Sequence, residues 1–229
     1  MKKMVSVLLA LVCLLAFGQV SLAEETDAFL AQIAGTYVEL FPEMAKEEYH
    51  QAWIDDVTPY VGAENAEDTV AYLLNVCMSS LYGQEAIDKF TADPEAMQFN
   101  CYFLGGVKKM TVDGNVISGV DENGNQVFSH SYTAMNLDNE NGFLFYQSDD
   151  ADAGQFSYFA FSPDTMADTY HLEFRYAEKL EDLQSWFEGD YAYWNVGAIA
   201  EDYTQEQILS AINLFVTENT AGEEEDEAA

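Results

Sequence analysis

Basic side chains are the scarcest feature of this sequence. Its 229 residues carry 8 Lys and Arg against 41 Asp and Glu, which gives a formal net charge of −33. Proteins that bind nucleic acid or an anionic membrane need a positive surface, because binding releases the counterions of the phosphates. We therefore expect no nucleic-acid partner and no anionic membrane surface as a partner. A strongly acidic protein favours cations.

Motifs of enzyme active sites are also missing. The sequence contains no nucleophile elbow, no phosphate-binding glycine loop and no H-E-x-x-H pair. Scattered carboxylates and few histidines, with no nucleophile beside them, do not support acid–base catalysis. We expect a binding protein and not an enzyme.

Cysteine is scarce, with three residues in the chain. Cys13 falls in the N-terminal leader, which leaves Cys77 and Cys101. Neither has the C-x-x-C spacing of zinc or redox motifs. In an oxidising compartment the two could form a disulfide, and the alternative is two buried thiols. The sequence leaves both alternatives open.

A long apolar run occurs at the N-terminus. Lys2 and Lys3 precede it, residues 4–17 are apolar, and Ser21-Leu22-Ala23 offers small residues where a signal peptidase cleaves. The run is too short for a comfortable membrane span. We predict a cleaved signal peptide over residues 1–23 and an exported protein, periplasmic or extracellular, without membrane insertion after cleavage.

Apolar residues are otherwise plentiful. Hydrophobic residues make up 49% of the chain and aromatic residues 14%, which is enough for a sizeable core and excludes general disorder. No internal repeat or linker divides the chain. We predict one domain over residues 24–221, followed by a disordered acidic tail at 222–229.

Strand patterns dominate the middle of the chain. Short runs of β-branched and aromatic residues alternate with turns that contain Asn, Asp or Gly, which tolerate positive φ. The connections are too short for crossover helices, so successive strands are expected to pair antiparallel. Six such strands and an earlier one that stops at Pro42 predict a closed or nearly closed barrel. The predicted strands are 35–41, 101–112, 116–120, 126–135, 143–147, 156–161 and 171–176, and the flanking helices are 26–34, 46–56, 66–90, 180–188 and 204–217.

His171 and Glu173 form the most informative pair. They are two apart on a predicted strand, so their side chains leave the same face, which points into the barrel or out of it. Asp164, at the end of the preceding strand, could approach from the barrel mouth. One imidazole and two carboxylates supply the three protein ligands of an open metal site. Alternatively, His171 and Glu173 hydrogen-bond each other or pair with Arg175 and Lys179.

The other two histidines are weaker candidates. His130 lies between two serines on a predicted strand and is a candidate fourth ligand. His50 belongs to an acidic and polar segment that is typical of an exposed helix face.

Residues 156–212 resemble the ZinT (YodA) family of exported, zinc-binding, lipocalin-like proteins. The family's F-S-D-H motif, followed by H-x-H on a strand, is similar to Phe161-Ser162-Pro163-Asp164 and His171-Leu172-Glu173. Gly35-Thr36-Tyr37 is similar to the family's opening G-x-W strand. The resemblance implies a mainly β fold with flanking helices, a lipocalin-like (calycin) antiparallel β-barrel.

The resemblance also implies a site. The family's three zinc histidines fall on Asp164, His171 and Glu173, so two imidazoles have become carboxylates. Zinc accepts this mixed set, but harder oxygen donors weaken its preference over another divalent cation. The implied function is zinc binding for buffering or for delivery to an uptake system, with a divalent metal ion and a zinc-importer component as partners. The alternative is a lipocalin-like carrier of a small apolar ligand with no metal function.

Overall fold

A computed structural model of the chain describes residues 27–77, 103, 105–137, 139, 142–162, 170–187 and 195–220. The predicted signal peptide, the acidic tail and Asp164 lie outside these residues. Cys101 does too, so the predicted alternatives for Cys77 and Cys101 stay open.

Within the described residues, eight strands form a closed antiparallel barrel. Each strand pairs with the next in sequence, and pairing of Tyr37 with Ala200 joins the first strand to the last. The predicted fold class, a mainly β lipocalin-like barrel with flanking helices, is confirmed. The strands are β1 (Gly35–Glu39), β2 (Lys109–Asp113), β3 (Val116–Val120), β4 (Gln126–Met135), β5 (Leu144–Ser148), β6 (Tyr158–Phe161), β7 (Leu172–Ala177) and β8 (Val196–Ala200).

Five of the six described helices that flank the barrel overlap predicted helices, whereas Leu40–Met44 was not predicted as a helix. Residues 78–90 of the predicted helix over 66–90 lie outside the described residues. The helix Gln205–Thr220 begins with a reciprocal capping box, in which Thr204 and Gln207 each accept the other's backbone N–H, at 3.3 and 2.8 Å. No described helix combines the length and the hydrophobicity that crossing a bilayer requires. The helices are α1 (Ala28–Gln32), α2 (Leu40–Met44), α3 (His50–Val61), α4 (Ala66–Cys77), α5 (Leu180–Phe187) and α6 (Gln205–Thr220).

Strand β8 was not predicted from the sequence. Its first four residues are all buried, so the strand lacks the alternation of apolar and polar residues that marks a half-exposed strand. Val196 and Ala198 pack in the barrel core, and Ile199 packs beneath the helices outside. Burial on both faces produces a short, uniformly apolar run that resembles a loop or a helix segment as much as a strand.

Two predicted strands begin too early. The prediction over 101–112 overlaps a turn in which Gly105 and Gly106 adopt φ +66° and +80°, and β2 starts only at Lys109. The prediction over 156–161 overlaps the end of a 3₁₀ turn, Gly154–Phe156, before β6. In both cases aromatic residues next to the strand pack into the core without extending the ladder.

Pro42 does not terminate the first strand, contrary to the prediction from the sequence. Strand β1 ends at Glu39, and Pro42 lies inside the short helix α2. In the first turn of a helix the backbone N–H has no intrahelical acceptor, so proline is tolerated there. The predicted strand over 35–41 is therefore two residues too long.

Aromatic side chains fill the barrel. One cluster of buried residues takes side chains from all eight strands. Its aromatic rings stack or meet edge to face, and the ring centroids of the stacked pair Phe128 and Phe156 are 3.9 Å apart. The described interior is thus a packed core. Its large members include Tyr37, Met110, Phe128, Tyr132, Tyr146, Phe159, Phe161, Phe174 and Tyr176.

Buried tyrosine hydroxyls tie short segments to the barrel. Tyr37 donates to the carbonyl of Ile33 at 2.6 Å, just after α1, and Tyr146 donates to Asp27 at 2.7 Å. Asp27 also caps α1 by accepting the N–H groups of Phe29 and Leu30. Burial raises the pKa of Tyr37 to about 12, and burial together with Asp27 raises the pKa of Tyr146.

Two apolar clusters cover the outside of the barrel. The larger one packs α2, α3, α4 and α6 against β8 around Trp53, Val57 and Ile199. The smaller one packs Leu183 of α5 against Phe145 and Ala160 on the outer face of β5 and β6. The outer face near β7 lies between these two clusters.

Candidate functional site

His171 and Glu173 lie side by side on the outer face of the barrel. Leu172 and Phe174, which alternate with them along β7, belong to the barrel core, so the opposite face points outward. His171 Nε2 is 3.4 Å from Glu173 Oε1. The His171 side chain is 12% exposed and that of Glu173 is 35% exposed. The pair is therefore reachable from solvent. Of the two orientations that the sequence allowed, into the barrel or out of it, the structure has the outward one.

The backbone just before His171 has an unusual conformation. Tyr170 has φ +62°, in the left-handed region that non-glycine residues rarely adopt. In this conformation Cβ crowds the following carbonyl oxygen, at a cost of about 1–2 kcal/mol. A bulky residue held there marks a constrained backbone directly before His171, at the entry to β7.

Asn195 approaches the other oxygen of the same carboxylate. Its Nδ2 lies 3.4 Å from Glu173 Oε2, and the side chain is 3% exposed. Glu173 is registered opposite Gly197 of β8, which has no side chain, so the nearest polar side chain on that side is the diagonal residue Asn195, just before β8. An imidazole and an amide therefore bracket the carboxylate of Glu173, one at each oxygen.

The pair fits two chemical roles. A neutral imidazole and a carboxylate are both donors to a divalent cation, whereas a protonated imidazole would form an ion pair with Glu173. The distance of 3.4 Å also agrees with the predicted alternative, a direct hydrogen bond between the two side chains. Arg175, on the same face of β7, is buried, and Lys179 is exposed.

A complete metal site does not appear within the described part of the chain. No group of three or more His, Cys, Asp or Glu side chains is arranged there to hold a metal ion. Asp164, the predicted third ligand, lies in the stretch 163–169 between the described ends of β6 and β7. The assignment of Asp164, His171 and Glu173 as ligands thus stays a prediction, in which two of the three are placed together.

The remaining histidines have other neighbours. His130 contacts Asp150 through Nδ1 at 2.8 Å and stacks on Phe128. This pair joins β4 to the turn after β5, away from the start of β7. His50 begins α3, is 46% exposed and lies 3.5 Å from Glu67. His50 thus lies on an exposed helix surface, as its segment predicted.

Two buried polar residues of the barrel, Glu39 and Asn195, were not predicted from the sequence. Glu39 is 8% exposed and pairs in register with Ala198 of the core, so its carboxylate points inward. It accepts the backbone N–H of Phe103 at 3.0 Å and contacts Lys108 Nζ at 3.3 Å. The signal for Glu39 was its place two residues after the inward-facing Tyr37. Asn195 gave no signal, because it precedes the strand that was not predicted.

Comparison with known proteins identifies solved structures with a similar fold. No family model matches the chain, and no curated protein matches it in sequence. Zn(II)-bound AdcA from Streptococcus pneumoniae matches in structure with a TM-score of 0.50 and 16% identity. The match covers 80% of this chain but only 35% of AdcA, so the chain corresponds to a part of that protein.

The likeness is one of fold. The Zn(II)-bound ZinT-like domain of the same AdcA matches with a TM-score of 0.47 and 15% identity, over 86% of this chain and 94% of that domain. At these identities the match to AdcA establishes the architecture of the barrel and its helices. That architecture is the one implied by the resemblance to ZinT.

Proposed function

We propose that this chain is an exported protein that binds a divalent metal ion, zinc above others, through His171 and Glu173, with Asp164 as the third ligand. The observation that carries the proposal is the separation of 3.4 Å between His171 Nε2 and Glu173 Oε1. The Zn(II)-bound state of AdcA, a protein of similar fold, supports the choice of zinc.

The distance fits zinc geometry. Zinc–nitrogen and zinc–oxygen bonds of about 2.0–2.1 Å at a tetrahedral angle place two donor atoms about 3.3–3.4 Å apart. The side chains of His171 and Glu173 thus have the spacing of two ligands of one ion. Their partial exposure leaves a path for the ion. A third ligand from 163–169 and a water would complete four-coordination.

The donor set predicts moderate selectivity. One imidazole favours zinc, whereas two carboxylates also suit manganese and calcium. We infer a buffering or delivery role, since an open site with oxygen donors releases its ion more readily than a closed site rich in thiolates. A zinc-importer component is the proposed recipient.

Calorimetry of the chelator-stripped mature protein tests the site. We expect one zinc ion to bind with submicromolar Kd, and binding to weaken at least about tenfold in His171→Ala and in Glu173→Gln, each of which removes a ligand. His50→Ala is the matched control, because His50 is exposed on α3 beside a carboxylate and outside the site. Weak, multiple binding that is the same in all four proteins would overturn the proposal.

The alternative, a carrier of small apolar ligands, has less support. Lipocalin-like carriers need room in the barrel, and the described interior is filled with aromatic side chains. A fluorescent apolar dye tests this alternative. Micromolar binding that extracted lipids compete away would favour a carrier.

Export is the part of the proposal that rests on the N-terminal leader alone. Lys2, Lys3 and the apolar stretch before Ala23 support it. N-terminal sequencing of the protein from a fraction outside the cytoplasm should read Glu24 first. A product that retains Met1 and stays inside the cell would contradict export and leave the metal site untouched.

A further inference from the structure

We propose that Asn195 is a positioning residue that restricts Glu173 to one-oxygen coordination and thereby sets the preference for zinc over larger divalent ions. The inference rests on the proposed function, since it concerns the same ion at His171 and Glu173. It adds a selectivity role for a residue that has no contact with the ion itself.

The two carboxylate oxygens of Glu173 have different neighbours. Oε1 faces His171 Nε2 at 3.4 Å, and Oε2 faces Asn195 Nδ2 at 3.4 Å. An ion held by His171 therefore meets Oε1, while the amide N–H of Asn195 donates to Oε2. A carboxylate oxygen that accepts this hydrogen bond faces away from the ion.

Burial makes Asn195 suitable for this task. Its side chain is 3% exposed, whereas Glu173 is 35% exposed. Asn195 also directly precedes Val196, a fully buried core residue of β8. The amide is therefore fixed by the barrel, and the more mobile carboxylate takes its orientation from it. Outer partners of metal ligands typically act in this way, and their loss lowers metal affinity about 10- to 100-fold.

One-oxygen coordination discriminates between ions. Zinc takes four ligands and is satisfied by one oxygen from each carboxylate. Calcium takes six to eight oxygens, and bidentate carboxylates help to supply them. Holding Oε2 away from the ion removes one oxygen that calcium or manganese would use, and zinc loses nothing.

The test measures affinities for zinc, manganese and calcium in the mature protein and its Asn195→Ala and Asn195→Asp variants. In Asn195→Ala we expect the zinc Kd to rise about 10- to 100-fold, with little change for manganese and calcium. Asn195→Asp keeps the size of the side chain and replaces the donor by a carboxylate. It should also shift the ratio of affinities towards manganese and calcium.

Asn213→Ala is the matched control. Asn213 donates to Asp56 at 3.1 Å between α6 and α3, so the variant removes the same kind of contact far from the site. We expect no change in any affinity. Because Asn195 is proposed to act through Glu173, Asn195→Ala should also have no further effect in a Glu173→Gln background.

The outcomes separate this inference from the function on which it rests. If zinc binds the wild-type protein and depends on His171 but not on Asn195, the positioning role is wrong and the metal site stands. If Asn195→Ala weakens all three ions equally, or adds its loss to that of Glu173→Gln, Asn195 is only structural. If wild-type zinc binding does not depend on His171, the proposed function itself fails.

Discussion

Glu39 Oε1 accepts the backbone N–H of Phe103 at 3.0 Å inside the barrel. Both residues are at least nine-tenths buried, and Phe103 packs in the barrel core against Phe174. The carboxylate thus satisfies a buried donor of the long segment between β1 and β2. Lys108, which also contacts Glu39, is 52% exposed and contributes little by comparison.

This contact predicts different costs for two substitutions of Glu39. Glu39→Ala leaves the Phe103 N–H buried without its acceptor and should lower the free energy of unfolding by about 2–3 kcal/mol. Glu39→Gln keeps an acceptor oxygen and loses only the ion pair with Lys108, whose ammonium is 52% exposed, at a cost of about 1 kcal/mol or less. Urea unfolding of both variants measures the difference, and equal losses would show that the hydrogen bond to Phe103 is not what matters.

Alkaline pH should destabilise the barrel through its buried tyrosines. Burial raises the pKa of Tyr37 to about 12, while an unfolded tyrosine titrates near 10. Tyr37 therefore stabilises the fold fully below pH 10. As pH rises from 10 to 12 the unfolded chain releases a proton that the folded chain keeps, so stability falls by about 1.4 kcal/mol per pH unit for this residue.

Denaturant midpoints measured between pH 8 and 12 give the slope of stability against pH. Tyr37→Phe should reduce the slope above pH 10, because the variant has no hydroxyl to titrate at this position. Tyr60→Phe is the control, since Tyr60 is 45% exposed, and its slope should equal that of the wild type. An unchanged slope in Tyr37→Phe would contradict the prediction.

Because of the left-handed backbone at Tyr170, a glycine variant should be more stable than an alanine variant there, the reverse of the usual order. Both Tyr170→Gly and Tyr170→Ala remove the side chain, but glycine adopts φ +62° without strain. The glycine variant should be more stable than the alanine variant by about 1 kcal/mol. At Tyr158, half-buried in β6, the same two substitutions should give the opposite order, because glycine weakens strand interiors.

Gly119 leaves room for the core inside the barrel. A Cβ at this position of β3 would lie 2.5 Å from Phe128 Cε1 and 2.9 Å from Val107 Cγ1. Gly119→Ala should therefore cost about 1–3 kcal/mol through overpacking, and adding Phe128→Leu should recover part of that loss. Ser118→Ala, on the neighbouring half-buried position, should change stability by less than about 0.5 kcal/mol. Thermal unfolding of the three variants checks the ranking.

Local patterns predicted most of the barrel because hairpins are encoded locally. Gly114 and Gly124, for example, lie with φ +58° and +79° in turns that the sequence marks with Asp, Asn and Gly. Strand β8 escaped prediction because both of its faces are buried, which erases the period of two. The end of β1 before Pro42 and the start of β2 after Gly105 depend on how neighbouring segments pack, and a local sequence pattern contains no information about that packing.

The candidate site was also predictable only where it depends on local sequence. The adjacency of His171 and Glu173 was predictable, because residues two apart on a strand share a face. The direction of that face was not, since it depends on the closure of the whole barrel. The contact of Asn195 with Glu173 joins β7 to a strand that was not predicted, and only tertiary pairing brings the two side chains together.

The pairing of β1 with β8 has a consequence for the order of folding. Tyr37 of β1 pairs with Ala200 of β8, so the ring of strands stays open until β8, the last of the described strands, has been synthesised. Before that moment β1 and the latest strand present unpaired edges that could template aggregation. Contacts this distant along the chain also make closure slow. The sheet therefore keeps two open edges until β8 has been made.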